Sequence, residues 1–332
     1  MVVWRSAGMS WRGGAPSLRW EGAGRRVSPL AYGRDLAFRA VGQRRCSGAR
    51  GHPCPLAAAV PARGTGGRCA ECARLDRAHS VAADTLVDDP RPYRVYLAWF
   101  GPGMIKVGIT AEARGSARLL EQGAVAFTWL GRGPLMAARR TEEVLRHALA
   151  VPDRIPYARK RAVRFGLPPA AERAAEVTEL YGRVVAVPHW AETLAPLPCH
   201  VSDHVRAFNL EAPAGSPHLL ATPPDVPGAS SSASPDVAHA SPSASSPTPP
   251  AAAPFVVTQL VDRGVLAGRL VAAAGPDLHL LDRDGRQIVL DTRLLSGWQL
   301  VAAEAGAPED PGGVGLPLAA LPAPADPQDQ LF

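Results

Sequence analysis

Four of the five cysteines lie within 27 residues, at Cys46, Cys54, Cys69 and Cys72, in the spacing C-x7-C-x14-C-x2-C. The Cys69-Ala70-Glu71-Cys72 turn brings two thiols onto one ion, and the Gly and Pro residues around Cys46 and Cys54 suit a second knuckle. Four soft thiolates fill the tetrahedral shell of zinc and leave no open position, so the pattern predicts a structural metal site and not a catalytic one. His52, two residues before Cys54, keeps open a set of three cysteines and one histidine. A dithiol redox role is disfavoured because no βαβ pattern follows the CxxC, and a disulfide framework would spread its cysteines along the chain. Cys199 and its neighbour His200 stand apart and read as incidental.

The segment up to the knuckle reads as short strands, with Leu36, Phe38 and Ala40 alternating onto one face. Proline and glycine, at 34 and 32 residues, exceed ordinary usage, which requires linker or tail somewhere. Residues 211–254 are Ser, Pro and Ala with almost no large apolar side chains, and cannot bury enough surface to offset the entropy of ordering. After them alternation returns, with Asp284-Gly285 as a hairpin signal. The boundaries that follow are a β-rich zinc-binding domain over 1–77, an α/β sandwich over 91–190 and a disordered linker over 211–254. A small β-barrel or sheet over 255–303 and a disordered tail over 304–332 complete the chain, giving an α+β fold class.

The net charge of +6 conceals a division. Residues 1–77 hold 14 Arg against 4 acids, and residues 91–190 hold 16 Arg or Lys against 8, whereas residues 191–332 hold 6 Arg against 15 acids. Basic modules attract phosphate backbones through counterion release, which points to RNA or DNA as partner. The acidic C-terminal third offers a surface for a protein partner. An Arg-, Ala- and Pro-rich chain is also how a GC-rich genome spells an ordinary solvated surface. No stretch is long or apolar enough to span a bilayer and no signal-peptide core is evident, so a cytoplasmic protein without a membrane partner is expected.

The central block carries the candidate chemistry. Strand signals at 94–100 and 104–110 flank Gly101-Pro102-Gly103, a helix near 112–122 carries Arg118, and a strand near 124–130 follows. A helix at about 135–150 carries Glu143 and His147; Arg-rich turns at 154–164, a helix at 169–182 and a strand at 184–187 close the block. Taken in order, Tyr96, Lys106-Val107-Gly108, Arg118 and Glu143 resemble the GIY-YIG nuclease superfamily. That resemblance implies a GIY-YIG-like fold for the block and a role for each residue. Tyr96 positions or activates the nucleophile, Arg118 (or Arg114) neutralises the transition state, and Glu143 anchors magnesium or manganese with His147 one turn along. Lys106 departs from the second tyrosine of the motif and offers phosphate a point charge instead. Each residue also has a plain structural role open to it: Tyr96 in the core, Gly108 for close strand packing, Arg118 as a solvated cation, Glu143 paired along its own helix.

The architecture as a whole resembles an uncharacterised bacterial family, domain of unknown function 2797, in its actinobacterial form. The stretches that carry the likeness are FRAVGQRRCSG, CAEC, VYLAWFGPGMIKVGIT and GVLAGRLV…SGWQL. A basic strip of Arg154, Arg159, Lys160, Arg161 and Arg164 beside Tyr157 suits single-stranded or structured nucleic acid, and suits a solvated turn equally. Three readings follow. The first is a zinc-stabilised nucleic-acid-binding protein with a divalent-metal-dependent nuclease site. The second is a non-catalytic RNA- or DNA-binding module whose site is degraded at Lys106, and the third is a protein–protein adaptor.

Overall fold

The computed structural model describes residues 4–22, 24–78, 89–152, 154–188, 190, 194–211, 253–303 and 314–322. Four strands open the chain: β1 (Trp4–Arg12), β2 (Ala15–Glu21), β3 (Arg25–Pro29) and β4 (Asp35–Val41). Helix α1 (Ala70–Arg77) ends the cysteine region. The central block runs β5 (Tyr93–Trp99), β6 (Ile105–Ala111), α2 (Ala117–Gln122), β7 (Ala126–Gly133), α3 (Leu135–Leu149), α4 (Tyr157–Val163) and α5 (Ala170–Val185). Short elements β8 (Ala195–Pro196), β9 (Ser202–Asp203) and α6 (Val205–Phe208) follow. The C-terminal part supplies β10 (Phe255–Val257), β11 (Val265–Ala274), β12 (Asp277–Leu281), β13 (Gln287–Asp291), β14 (Gln299–Ala302) and β15 (Leu318–Ala320).

The chain is α+β with two sheets, and its N-terminal and C-terminal strands share the larger one. The strand order there is β15-β10-β13-β12-β11-β4-β14-β1-β2-β3, open at both edges. No closed barrel forms among the described residues, and the C-terminal strands do not make a separate sheet. Strand β4 lies between β11 and β14, with Ala37 opposite Ala267 on one side and Ala40 opposite Leu300 on the other. The expected alternation in β4 turns Leu36, Phe38 and Ala40 toward one large core shared with Leu266, Leu280 and Leu290. The Asp284-Gly285 signal is a turn between β12 and β13. There Gly285 has φ +74°, and the Asp282 carboxylate accepts from the backbone N–H groups of Asp284 and Arg286.

The smaller sheet runs β6-β5-β7-β8, with β9 also pairing β7. Strand β5 is buried on both faces, as a central strand with a near-continuous apolar run should be. On one face Tyr93, Val95 and Leu97 pack with Leu135, Ala138 and Leu145 of α3 and Leu180 and Val184 of α5. On the other, Tyr96, Ala98 and Phe100 pack with Leu119 of α2, Ile155 and Val163. Two expectations need correction here. Residues 154–164 are not only turns, because Pro156 starts helix α4 at Tyr157; residues 184–187 are not a strand, because α5 runs through Val185.

The two sheets touch through close backbone contact. Gly123, the left-handed cap of α2, faces Gly275 at the β11–β12 turn, and a Cβ on Gly275 would sit 3.0 Å from the Gly123 nitrogen. Trp11 of β1 donates its indole N–H to the Gly275 carbonyl at 3.0 Å. Among the described residues no helix is long and apolar enough to cross a membrane. Most of the expected linker, 212–252, lies outside the described residues, as do 304–313 and 323–332 of the expected tail.

Part of that tail is structured. Val314 bridges Leu266, β15 pairs antiparallel with β10, and Leu316 and Leu321 are buried. Gly264 admits the Leu316 side chain, since a Cβ there would lie 2.4 Å from Leu316 Cδ2. Leu316→Ala should therefore destabilise the protein by about 2 kcal/mol, as for other buried leucines. An unchanged urea midpoint would mean that this segment does not pack against the sheet.

Candidate functional site

The four cysteines converge. Their sulfurs all lie within 4.8 Å of one another, with Cys54 Sγ and Cys69 Sγ 4.0 Å apart. Two backbone N–H groups, of Gly48 and Cys69, point at Cys46 Sγ at 3.4 and 3.2 Å. Gly48 is required by the knuckle: it has φ +78°, and a Cβ would lie 1.9 Å from the His52 carbonyl oxygen. Cys69 caps α1 and Cys72 sits in its first turn, so the positive end of the helix faces the sulfurs. Donation from the Ala58 backbone N–H holds the Cys54 thiol down at about 7, while burial pushes Cys72 up to about 12. A bound cation would deprotonate the set. His52 is exposed and stays outside, so the converging set is the four cysteines alone, and these can hold a metal such as zinc.

Tyr96 and Gly108 face each other across the β5–β6 pair. The phenol lies over the glycine, where a Cβ would come within 2.5 Å of the hydroxyl oxygen. Tyr96 is 1% exposed, and its hydroxyl accepts from Gln122 Nε2 at 2.9 Å. Burial raises its pKa, Arg118 and Arg114 pull it down, and Glu142 pushes it up. The carboxylate whose charge reaches Tyr96 is thus Glu142. Glu143 points to solvent, bonded to His147 Nε2 at 3.0 Å and Arg146 Nη2 at 3.1 Å, and these partners lower its pKa. Helical geometry could have separated the two. At about 100° per residue, Glu142 flanks the buried stripe of Ala138, Thr141 and Leu145, while Glu143 falls nearly opposite it. Lys106 pairs Ala98 on the Tyr96 face of the sheet. The Gly101-Pro102-Gly103 turn is held by Glu176 of α5, which accepts from the Trp99 indole and the Gly103 N–H, both at 3.0 Å.

The basic strip divides. Arg154 and Arg159 are exposed, but Lys160, Arg161 and Arg164 turn inward. Arg161 bonds Asp277 and Asp291 of the β12–β13 hairpin; burial works against its charge, yet the two carboxylates outweigh it and raise its pKa. Arg293, also on Asp291, stacks 4.1 Å from the Tyr157 ring centroid. Lys160 Nζ lies 3.8 Å from the Phe100 ring centroid and 4.4 Å from that of Tyr157, and donates to the Gln122 carbonyl at 3.1 Å. Arg164 is fully buried over Phe208, and burial lowers its pKa to about 10. Of the three, Arg161 docks the central block onto the larger sheet, Lys160 is held within the block, and Arg164 packs against α6.

A cleft of about 810 Å³ opens beside this junction. Its walls come from the N-terminal strands, the cysteine knuckle and the start of α2. The cations are Arg19, Arg68, Arg77, Arg114, Arg118 and Arg293, against Glu21, Asp76 and Glu121. Arg114 and Arg118 share one carboxylate, Glu121, at 2.6 and 3.8 Å. Arg118 is therefore both a cleft residue and a neighbour of Tyr96. Nothing in the sequence marks Arg19, Arg68 and Arg77 among so many arginines.

The profile of a family described as a protein of unknown function, DUF2797, matches residues 33–300, from the approach to β4 into β14. This chain belongs to the DUF2797 family. No curated protein and no solved structure matches it. The match takes in the four cysteines, the whole central block and strands β10 to β13.

Purified, this DUF2797 protein should carry about one zinc per chain, and Cys72→Ser or a strong chelator should remove it and lower the thermal midpoint. Metal content by mass spectrometry, read beside the melting curve, checks this; a metal-free wild type with unchanged melting refutes it. A second expectation concerns Lys160, whose pKa falls to about 7 through burial first, then Lys106, Arg164 and Arg293, with Asp277 opposing. The unfolded chain keeps this proton up to about 10.4. Between those values the unfolded state holds more protons, so stability rises with pH. Lys160→Met should therefore exceed the wild type in stability at pH 7, with the gap closing toward pH 10 in urea titrations.

Proposed function

We propose that this protein binds nucleic acid through the arginine-lined cleft, whose walls are the N-terminal strands, the cysteine knuckle and the central block. The observation that carries the reading is the cleft itself: six arginines from four separate stretches of chain meet three carboxylates around one concavity. Such a surface attracts a polyanion through counterion release and charge-assisted hydrogen bonds. The GIY-YIG resemblance supports the same class of partner. Its counterpart here is an antiparallel β6-β5-β7 sheet with Tyr96 across from Gly108 and Arg118 on the following helix.

Binding without cleavage is favoured by the state of the candidate catalytic groups. The Tyr96 hydroxyl is enclosed, bonded to Gln122 and raised in pKa by burial, which opposes its acting as a base. Lys106 stands where the motif has a second tyrosine, and Glu143 is engaged by His147 and Arg146 on the solvent side. A metal-dependent nuclease is the second reading because Arg118, Arg114 and Glu142 all act on Tyr96. In that reading Glu142, not Glu143, would hold magnesium or manganese.

Fluorescence anisotropy with labelled RNA and DNA tests the first reading. Binding should weaken steeply with salt. Arg114→Ala combined with Arg118→Ala should lower affinity about tenfold and flatten the salt slope by roughly two phosphate contacts. Incubating the same strands with magnesium or manganese tests the second: cleavage lost in Glu142→Gln and kept in Glu143→Gln would establish the nuclease. Absence of binding at low salt would leave the adaptor reading.

A further inference from the structure

Among the described residues, Trp11 and Tyr157 are the aromatics that border the cleft, and both are engaged. Trp11 is 3% exposed; its indole N–H is spent on the Gly275 carbonyl, and its ring packs edge-on against Phe208 at 5.1 Å. Tyr157 carries Arg293 at 4.1 Å and Lys160 at 4.4 Å from its ring centroid, and its hydroxyl donates to the Glu121 carbonyl at 3.4 Å. Trp11 is enclosed and the Tyr157 ring already carries two cations, so neither stands ready to receive a base. Binding of unpaired bases rests on open ring faces, because stacking is what a base of any identity can use.

What the cleft does present is suited to phosphate. Arg19, Arg68, Arg77, Arg114 and Arg118 are exposed along its walls. Between them lie Gly8, Gly51 and Gly66, exposed or half-buried positions that add no side chain of their own to the wall. Guanidinium groups match phosphate oxygens in pairs, and bare backbone allows close approach. The existing ion pairs leave a surplus, since Arg114 and Arg118 divide one carboxylate between them.

We propose that the cleft reads the sugar-phosphate backbone and not the bases, and so acts as a sequence-independent polynucleotide track; this rests on the nucleic-acid reading above. The carboxylates set the limits of the track. Glu21, Asp76 and Glu121 punctuate the arginines and would repel a phosphate placed against them, so phosphates are expected at intervals along the wall.

The test compares labelled oligothymidine, oligoadenine, a mixed RNA and an abasic strand of the same length, with inorganic polyphosphate as an unlabelled competitor. The abasic strand should bind within about threefold of the others, whereas a single lost stack would cost about fivefold or more. Arg77→Ala combined with Arg118→Ala should weaken all four strands by the same factor, about tenfold. Both side chains are exposed, and an unchanged thermal midpoint shows that the variant is folded. An abasic strand bound about tenfold more weakly overturns the proposal while leaving nucleic-acid binding in place, and equal binding by the variant overturns it by locating the track elsewhere. Displacement by polyphosphate of strands that themselves bind is expected. Polyphosphate bound with no strand bound refutes both the track and the nucleic-acid reading.

Discussion

Strand β4 is hydrogen-bonded on both sides by strands from the far end of the chain. The larger sheet cannot exist until residues 35–41 meet residues 265–269 and 299–302. Everything between them is an insertion into that pairing. The entropy of closing so long a loop grows only slowly with its length, so the long intervening stretch, central block included, is tolerated there. The cost falls on rate instead, because pairing this remote in sequence forms late. Once formed, it fixes where the central block must stand, with the cap of α2 at Gly123 against the β11–β12 turn at Gly275.

Charge then determines how the block is oriented. Arg161 reaches across to Asp277 and Asp291 while Arg293 returns from Asp291 to the Tyr157 ring, so four ionised groups and one aromatic ring close a single network. Buried pairs of this kind add little net stability, but removing one partner leaves a stranded charge. Arg44 does comparable work without any carboxylate. Its guanidinium donates to the carbonyls of Ser296, Pro61, Gly64 and Arg293, and so ties the cysteine region to the turn before β14. A buried cation satisfied by four carbonyls is specific to one arrangement of those segments, since a shift of either leaves donors unpaired.

What was legible in the sequence was local. The cysteine spacing gave the knuckle because ligands close in sequence are close in space, and β4 was readable from period-two alternation. Tyr96 and Gly108 were each legible as motif residues, but that the ring lies over the glycine emerges only from the strand register. The basic strip was misleading for a physical reason: Lys160, Arg161 and Arg164 look like a solvated turn until the β12–β13 hairpin arrives with Asp277, 116 residues beyond Arg161. Glu142 and Glu143 are indistinguishable as letters and differ only in their angle to the helix core. The Leu318–Ala320 strand was obscured by the Pro- and Gly-rich sequence around it, and becomes a strand only because β10 offers an edge to pair with.

The cleft belongs to neither kind of signal, because its charge is local and its concavity is not. Arg114 and Arg118 come with α2, and Arg68 and Arg77 come with the knuckle and α1, so each pair exists in its own segment. Their facing one another depends on Gly275, Ser296 and Arg293, which line the cleft and are themselves positioned by the sheet that β4 completes. A segment that kept its arginines but lost this junction would keep its net charge and lose the focusing that a walled, low-dielectric groove gives to it. A ligand of the cleft would therefore be recognised by the assembled molecule, since the cysteine knuckle, the remote strand pairing and the buried ion network together set its walls.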